Sequence, residues 1–195
     1  DPDADSANLS EWISLLIAPG SSLGGARPKA GLQYPNGDLW IAKFPGRNDL
    51  RDMGAWERVV WELGKEVGLD LPDSECLDLD GAHRTFLVRR FDRVLGSKAT
   101  VRLHFASAMT LLGHSDGDDH RSGAGYLELC DWISNFGAQP SADLPELWNR
   151  IVFSMFVSNT DDHLRNHGFL LTPKGWVLSP AYDVNAEPEG VRTGL

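Results

Sequence analysis

Residues 158–167 read Ser-Asn-Thr-Asp-Asp-His-Leu-Arg-Asn-His, and this polar stretch decides how the chain is interpreted. Apolar side chains recur before it at intervals of three and four residues, at Leu147, Trp148, Ile151, Val152, Met155 and Phe156. This spacing predicts a core helix over residues 145–158, with Asp143 and Pro145 at its cap and first turn. The polar stretch is then a loop at the end of a buried helix, where a rigid scaffold can aim side chains at a ligand.

A β-hairpin is predicted directly after this loop, with strands at 168–171 and 176–178. Its second strand leads into Pro-Ala-Tyr-Asp, which places Asp183 22 residues after Asp161. Asn166 lies between them, five residues after Asp161. The order along the chain is therefore Asp, Asn, two strands and Asp.

These three side chains match the needs of phosphoryl transfer from ATP by kinases. One carboxylate must orient or deprotonate the attacking hydroxyl, and an amide oxygen with a second carboxylate must hold Mg²⁺. Oxygen ligands suit this hard cation. The set therefore favours a kinase in which Asp161, Asn166 and Asp183 divide this work.

The N-terminal part of the chain offers the positive charge and amide donors that bind phosphates. Residues 20–29 form a loop of small residues and two cations, with Gly24 and Gly25 near its centre. Residues 31–44 then predict a hairpin that turns at 35–38. A flexible loop before a hairpin is one way to cover a phosphate group.

Lys43 lies in the second strand of this hairpin and shares a face with apolar residues, because side chains alternate across a strand. A lysine that is buried needs an acidic partner. Glu57, in the first turn of a helix predicted over residues 55–67, can supply it. The same helix is expected to bury one apolar stripe, formed by Trp56, Val59, Val60, Leu63 and Val67.

The remaining pattern predicts an α+β chain of two lobes. Further strands are expected at 75–79 and 84–91 around an Asp80-Gly81 turn, and further helices at 7–17, 105–112 and 125–136, with a polar loop at 113–125. We therefore expect a β-rich N-terminal nucleotide-binding lobe over residues 1–93. A mostly helical catalytic lobe is expected over residues 94–195.

Composition excludes several classes of protein. Eighteen Lys and Arg against 28 Asp and Glu give a formal charge of −10 over 195 residues. An acidic surface repels phosphate backbones and anionic membranes, so direct nucleic-acid or membrane binding is not expected. The acidic start lacks the basic and apolar regions of a signal peptide, and we expect a cytoplasmic protein. The chain opens without Met and stops shortly after Asp183, which we interpret as a piece of a longer protein.

Five ordered segments resemble the kinase core of the HipA family, the serine/threonine kinase toxins of bacterial toxin–antitoxin pairs. They are residues 22–29 (SLGGARPK), 41–43 (IAK), 66–72 (EVGLDLP), 90–93 (RFDR), and 160–166 (TDDHLRN) with 180–183 (PAYD). Together they span nearly the whole chain. The resemblance implies a two-lobed protein-kinase-like fold that uses ATP and Mg²⁺.

The resemblance also implies a role for each matching residue. Asp161 would be the catalytic base, Asn166 and Asp183 the Mg²⁺ ligands, and Lys43, oriented by Glu57, the contact to the ATP phosphates. The other ATP-binding residues would be Gly24, Gly25, Ala26, Arg27, Lys29, Arg89, Arg90, Phe91, His163 and Arg165, with Asn166 and Asp183 included. Ser22 or Ser21 would be autophosphorylated, and the added negative charge would repel this loop from ATP.

Partners follow from the resemblance in the same way. The substrate would be a Ser or Thr of a protein, such as an aminoacyl-tRNA synthetase, and a helix-turn-helix antitoxin would bind the kinase. Two residues depart from the family pattern: Arg89 stands where an acidic residue is common, and Asp162 replaces a frequent glycine. Neither departure changes the catalytic roles, but both leave the electrostatics of the pocket open.

Two other functions stay open from the residues alone. Asp161, His163 and His167 have the spacing of a transition-metal site in a hydrolase, although that function leaves Lys43 and Glu57 without roles. The second is a catalytically silent kinase-like binding module. Such a module would lack a catalytic Asp or Lys, and none is missing here.

Overall fold

The structure is a computed structural model that describes residues 27–79, 83–96, 100–118, 121 and 123–186. These residues fall into two compact units. The first contains the described residues up to Arg58 together with Ser74–Arg89, and the second contains Val59–Asp73 and the described residues from Arg90 onward. The lobe boundary that we placed near residue 93 stays a prediction. The predicted helix at 7–17 and the Asp80-Gly81 turn lie outside the described residues.

The first unit is built on a four-stranded antiparallel sheet. Its strands are β1 (Lys29–Gln33), β2 (Leu39–Lys43), β3 (Ser74–Asp78) and β4 (Arg84–Arg89), in the order β1-β2-β4-β3. Leu32, Trp40, Ala42 and Leu87 form its buried apolar cluster. The predicted hairpin is confirmed, with a turn in which Gly37 adopts a φ of 91°, a region that favours glycine.

Helix α1 (Met53–Glu66) follows this hairpin and begins two residues earlier than predicted. The Asp52 side chain sets this start, because its Oδ1 accepts a hydrogen bond from the Ala55 amide at 3.0 Å. Glu57 is therefore the fifth residue of the helix, so its predicted place in the first turn was wrong. Gly68, with a φ of 86°, lies just beyond the helix end.

The buried face of α1 also differs from the predicted stripe. Val60 is buried, but Trp56, Val59, Leu63 and Val67 are between 41% and 63% exposed. Trp61 is instead 1% exposed, and its Nε1 donates a hydrogen bond to the Pro72 carbonyl at 2.8 Å. The helix carries two apolar faces, and its spacing alone does not tell which one is buried.

At Gly54, α1 approaches β4 so closely that only a glycine fits. A Cβ placed there would lie 2.1 Å from the Arg84 carbonyl oxygen, a backbone atom that no rotamer change can move. We expect Gly54→Ala to lower the free energy of unfolding by about 1–3 kcal/mol, as overpacking does. Urea unfolding measures this, with Gly31→Ala as the control, because a Cβ at Gly31 meets nothing within 4 Å. Equal stability of both variants would contradict the prediction.

Among the described residues, the second unit combines the last part of α1, from Val59, with two small sheets and three further helices. Its described elements are β5 (Arg93–Leu95), β6 (Thr100–Arg102), β7 (His104–Ser107), α2 (Ala108–Leu112), α3 (Tyr126–Phe136), α4 (Pro140–Phe156), β8 (Gly168–Thr172) and β9 (Gly175–Leu178). Strands β5 and β6 pair with each other, and β7, β8 and β9 form a three-stranded antiparallel sheet. The core cluster contains Ala108, Leu129, Ile133, Leu147, Phe169 and Leu178.

Several boundaries in this unit differ from the prediction. The hairpin of β8 and β9 is confirmed, but residues 104–107 are a strand and not the start of a helix, because they pair with β8. The short pair β5 and β6 was not predicted. Helix α4 begins at Pro140, five residues early, and Asp143 lies in its first turn, where it is 3% exposed and accepts a hydrogen bond from the Leu178 amide.

The predicted core role of α4 holds for one side of the helix. Leu147 is fully buried, whereas Trp148, Met155 and Phe156 are between 62% and 85% exposed. None of the helices in the described ranges has both the length and the apolar composition to cross a membrane.

Candidate active site

The candidate site is formed by the loop between α4 and β8, residues 158–167. Ser158 leaves the helix with a φ of 55°, an uncommon backbone angle for a residue other than glycine. The Asn159 amide then donates to the Ser154 carbonyl at 2.9 Å, which turns the chain away from the helix axis. This turn presents the polar residues that follow.

Asp161 and Asn166 are joined within this loop. The Asn166 Nδ2 donates a hydrogen bond to the Asp161 carbonyl at 2.8 Å, and the Asn166 amide donates to the His163 carbonyl at 2.8 Å. The side chain of Asp161 is 90% exposed. Because the Asn166 amide nitrogen is used in the loop, its oxygen is the side-chain atom that can face a cation.

Asp183 reaches the same part of the second unit from the end of β9. The Ser179 amide donates to the Gly168 carbonyl at 2.8 Å, and Arg150 Nη2 donates to the Ser179 carbonyl at 2.8 Å. Asp183 itself has a φ of 53°. A non-glycine residue in this conformation is typical of functional sites, where the surrounding contacts hold the strain.

Asn166 and Asp183 line one small cavity, although 17 residues separate them in the chain. The other residues that line it are Arg150, Ser154, Asn159, Asp162, His167, Ala181, Tyr182 and Val184. Two buried atoms of this set, Arg150 Nη1 and His167 Nδ1, have no hydrogen-bond partner among the described residues. A buried polar atom without a partner is costly, so the site suits a water or a polar ligand atom.

The donor chemistry of this cavity fits a hard divalent cation. An amide oxygen from Asn166 and a carboxylate from Asp183 are ligands that Mg²⁺ accepts, with water or substrate oxygens completing its shell. The cavity adjoins the loop that carries Asp161 through the Asn166 hydrogen bond. Of the predicted site residues, these three therefore lie together in one unit.

The alternative transition-metal site is not supported by this geometry. His163 Nε2 lies 3.8 Å from Asp161, but His167 Nε2 bonds to Asp162 at 2.9 Å. Within the described ranges, no three His, Cys, Asp or Glu side chains are grouped closely enough to hold a metal ion. Of the three residues proposed for that site, Asp161 and His163 therefore lie near each other, whereas His167 pairs with Asp162.

Asp162 was assigned no role from the sequence, but it is buried in the candidate loop. It is 8% exposed, and its carboxylate is bonded to His167 and Tyr126. Burial alone would raise the pKa of Asp162, but the hydrogen bonds and the charge of His167 outweigh it and hold the pKa below its usual value. No spacing rule marks an Asp followed five residues later by His as a buried pair.

An aromatic cluster supports the other side of the loop. Tyr182 donates its hydroxyl to the Arg165 carbonyl at 2.6 Å, and its ring lies 5.8 Å from Phe91 and 5.9 Å from Phe105. Burial raises the pKa of the Tyr182 hydroxyl, which keeps it a donor. Phe91, predicted near the adenine, therefore has its ring in this cluster.

The predicted cations near the strand ends have defined partners. Arg89 lies 3.7 Å from Asp38, whereas Arg90 forms two hydrogen bonds to Asp92 at 2.8 and 2.9 Å. Arg165 in the candidate loop pairs with Asp116 at 2.7 Å, with both side chains at least half exposed. Because solvent screens this last pair, it contributes little to holding the candidate loop.

His114 anchors the loop that carries Asp116. Its Nε2 lies 2.7 Å from Glu128 and its Nδ1 lies 3.2 Å from Asp118, while its side chain is 13% exposed. The hydrogen bond to Glu128 is the largest effect on the pKa of His114 and raises it above 6.5. Burial lowers this pKa, and the hydrogen bond to Asp118 raises it further, so the net shift is upward. Both ring nitrogens can donate only in the protonated ring.

This anchor predicts a pH-dependent stability. Because the folded pKa of His114 is raised, its contribution is complete below the unfolded value of 6.5 and is lost as pH rises through the folded value. We expect the wild type to be more stable than His114→Gln below pH 6.5, and the difference to shrink at alkaline pH. Thermal unfolding of both proteins across this range measures it. A difference that grows with pH would contradict the assignment.

In the first unit, Lys43 and Glu57 form a buried ion pair. Lys43 Nζ lies 2.5 Å from Glu57 Oε1, and the two side chains are 11% and 8% exposed. The ammonium also lies 5.9 Å from the centre of the Phe86 ring. This is the contact proposed from the sequence, but the convergence of Lys43 with Asp161 on one triphosphate stays a prediction.

The glycine-rich loop is described only at its end. Arg27 forms a two-point contact with Asp49 at 2.9 and 3.1 Å, and Lys29 begins β1. The predicted sites at Ser21, Ser22, Gly24, Gly25 and Ala26 lie outside the described residues.

Comparison with known families decides the relationship. The family profile described as the HipA-like C-terminal domain matches residues 21–192. The chain belongs to this family. Among its relatives, the serine/threonine-protein kinase toxin HipA of Shewanella oneidensis is 23% identical over 188 residues, which cover 85% of this chain and 43% of the toxin. The chain spans about two fifths of the length of the curated relatives it matches.

Solved structures show the HipA-like fold as well. The Shewanella oneidensis HipA in complex with HipB and operator DNA matches with a TM-score of 0.70 and 21% identity, over 93% of this chain and 49% of that chain. The Helicobacter pylori proinflammatory kinase CtkA matches with a TM-score of 0.64 and 19% identity, over 89% of this chain and 58% of that chain. The predicted α+β, protein-kinase-like fold is confirmed.

Proposed function

We propose that this chain is the catalytic core of a serine/threonine protein kinase of the HipA-like family, which transfers the γ-phosphoryl group of Mg·ATP to a protein hydroxyl. The observation that carries the proposal is the cavity shared by Asn166 and Asp183 beside the loop of Asp161. The buried Lys43–Glu57 pair adds a second element of kinase chemistry. Relatives with kinase names support the same class.

Each residue then has a physical task. Asp161, exposed at the loop surface, accepts the proton of the attacking Ser or Thr hydroxyl and orients it. Asn166 and Asp183 would hold Mg²⁺, which supplies charge neutralisation to the phosphates of ATP. Lys43 binds the phosphates, and Glu57 keeps its ammonium group in place. Arg27 and Lys29 would border the phosphates.

The biological setting is proposed from the family. The Shewanella oneidensis relative is a toxin whose solved complex contains HipB and operator DNA. We propose by analogy that this protein is a toxin kinase with a helix-turn-helix antitoxin as partner and a protein of translation, such as an aminoacyl-tRNA synthetase, as substrate. The net charge of −10 fits a toxin that leaves direct DNA contact to its partner.

A labelling experiment tests the activity. The purified protein is incubated with γ-labelled ATP and a bacterial lysate, with Mg²⁺ or with EDTA. We expect Mg²⁺-dependent label in a protein band, and phosphate on Ser21 or Ser22 by mass spectrometry of the protein itself. Asp183→Asn, which removes the negative charge of one proposed metal ligand, should abolish both signals.

The outcomes separate the alternatives. Release of free phosphate without protein labelling would favour a hydrolase, and nucleotide binding without either product would favour a silent binding module. Label that persists in Asp183→Asn would show a contaminating kinase and leave this protein without support as an enzyme.

A further inference from the structure

Asp162 occupies the interior of the candidate loop and is tied at both carboxylate oxygens. Its Oδ2 accepts a hydrogen bond from the Tyr126 hydroxyl at 2.5 Å, and its Oδ1 lies 2.9 Å from His167 Nε2. The side chains of Asp162 and His167 are 6% and 4% exposed. The Tyr126 ring also meets the His167 ring edge-on, with ring centres 5.6 Å apart. The three groups form one contact set, in which Asp162 and His167 are buried and Tyr126 is partly buried.

The positions of Asp162 and His167 in the chain connect this contact set directly to the candidate site. Asp162 directly follows Asp161, and His167 directly follows Asn166. The Asp162–His167 contact therefore closes the base of the loop between the two residues that the proposed reaction needs. Tyr126 is the first residue of α3, so the closed loop is fastened to a helix of the core.

Backbone contacts extend the same anchoring. The His167 carbonyl accepts a hydrogen bond from the Ala108 amide at 2.7 Å, at the start of α2. The side chain of Asp161, by contrast, is 90% exposed, and its Oδ1 lies 3.8 Å from Nε2 of His163, a residue of the same loop. Its placement must come from the backbone beneath it, which the buried carboxylate of Asp162 holds.

We propose that Asp162 is a positioning residue, whose buried carboxylate, held by Tyr126 and His167, keeps Asp161 and Asn166 in their working arrangement. The catalytic part of this inference rests on the proposed kinase function. Asp162 lines the cavity, but its two carboxylate oxygens are bonded to Tyr126 and His167, so it acts through the backbone of the loop. Displacement of a reacting group by about 1 Å can cost about 100-fold in rate, so loosening this anchor should lower kcat.

Three variants and one matched control test the proposal. Asp162→Ala removes both contacts. Asp162→Asn keeps the shape of the side chain but replaces one carboxylate oxygen by an amide nitrogen. Tyr126→Phe removes one hydrogen bond and leaves the packing of the ring in place. Tyr34→Phe is the control, because Tyr34 donates its hydroxyl to Glu75 at 2.8 Å, a bond of the same kind within the first unit.

Two measurements are made on each protein. Amide hydrogen exchange of residues 158–167 reports loop opening without any need for activity. Steady-state phosphoryl transfer, corrected for the folded fraction, separates kcat from the KM for Mg·ATP. We expect faster exchange in the loop and a fall in kcat of about 10–100-fold for Asp162→Ala, with a much smaller change in KM. Asp162→Asn should recover part of kcat, and Tyr126→Phe should shift both readouts in the same direction.

Each outcome decides the matter. Unchanged exchange in the loop, or kcat equal to that of the wild type in Asp162→Ala and Tyr126→Phe, would overturn the proposal. A fall of kcat as large in Tyr34→Phe would show a general loss of stability and would also overturn it. If Asp162→Ala does not fold, Tyr126→Phe carries the test. A wild type that transfers no phosphate would refute the proposed function, while the exchange data would still decide whether Asp162 anchors the loop.

Discussion

Replacement of Asp161 by Asn is expected to reduce phosphoryl transfer by about 10³-fold or more, because the variant loses the carboxylate that we propose accepts the proton of the attacking hydroxyl. Stability should not change. The Asp161 side chain is 90% exposed, and the hydrogen bond that Asn166 makes at this position goes to the main-chain carbonyl, which the substitution keeps. Initial rates of label transfer and thermal unfolding of the same samples measure the two effects.

The control for this variant is Asp73→Asn, another exposed aspartate in the second unit. Its side chain is 58% exposed and lies 3.3 Å from Lys65. An exposed pair of this kind contributes little, so activity and stability should both stay at the wild-type level. Full activity of Asp161→Asn would remove Asp161 from the mechanism.

Disruption of the Lys43–Glu57 pair is expected to give the second large effect. The two side chains are 11% and 8% exposed, and their charged atoms lie 2.5 Å apart. Removing one partner of a buried pair typically costs about 3–5 kcal/mol, so Glu57→Leu should lower the free energy of unfolding by an amount of this order. Urea unfolding measures it. A change below about 1 kcal/mol, as for an exposed pair, would contradict the burial of this contact.

The double variant Lys43→Met with Glu57→Leu separates stability from binding. Apolar residues of similar volume often replace a buried ion pair without loss of stability, so the double variant should recover most of the loss. Affinity for Mg·ATP should still fall by about 10–100-fold, because the double variant lacks the charge-assisted contact that we propose between Lys43 and the phosphates. Calorimetric titration with Mg·ATP measures this. Wild-type affinity in a stable double variant would take Lys43 out of the nucleotide site.

The local patterns of the chain predicted much of this structure. The hairpin of β1 and β2 and the hairpin of β8 and β9 are present, since turn residues and alternating side chains are signals contained within a few residues. The predicted partnership of Lys43 with a helical glutamate corresponds to an observed contact. The chemical requirement for a neutralised buried lysine made this contact predictable.

Other features depended on residues far away in the chain. Residues 105–107 were expected to be helical and belong to strand β7, because β8, more than sixty residues later, supplies their hydrogen-bond partners. The buried face of α1 is the one that carries Trp61, whose side chain bonds to the Pro72 carbonyl. It is not the longer apolar stripe that was predicted. Periodicity identifies an apolar face, but only the neighbours decide which face is covered.

The sequence by itself determined the order of Asp161, Asn166 and Asp183, which suits phosphoryl transfer, because residue types and their place beside a predicted helix and hairpin are local properties. Only the tertiary structure decided that Asn166 and Asp183 share a cavity and that Asp162 is a buried anchor. Burial and proximity arise when elements distant in the chain pack together. Asp162 is an example, because its hydrogen-bond partner Tyr126 comes from α3, 36 residues earlier in the chain.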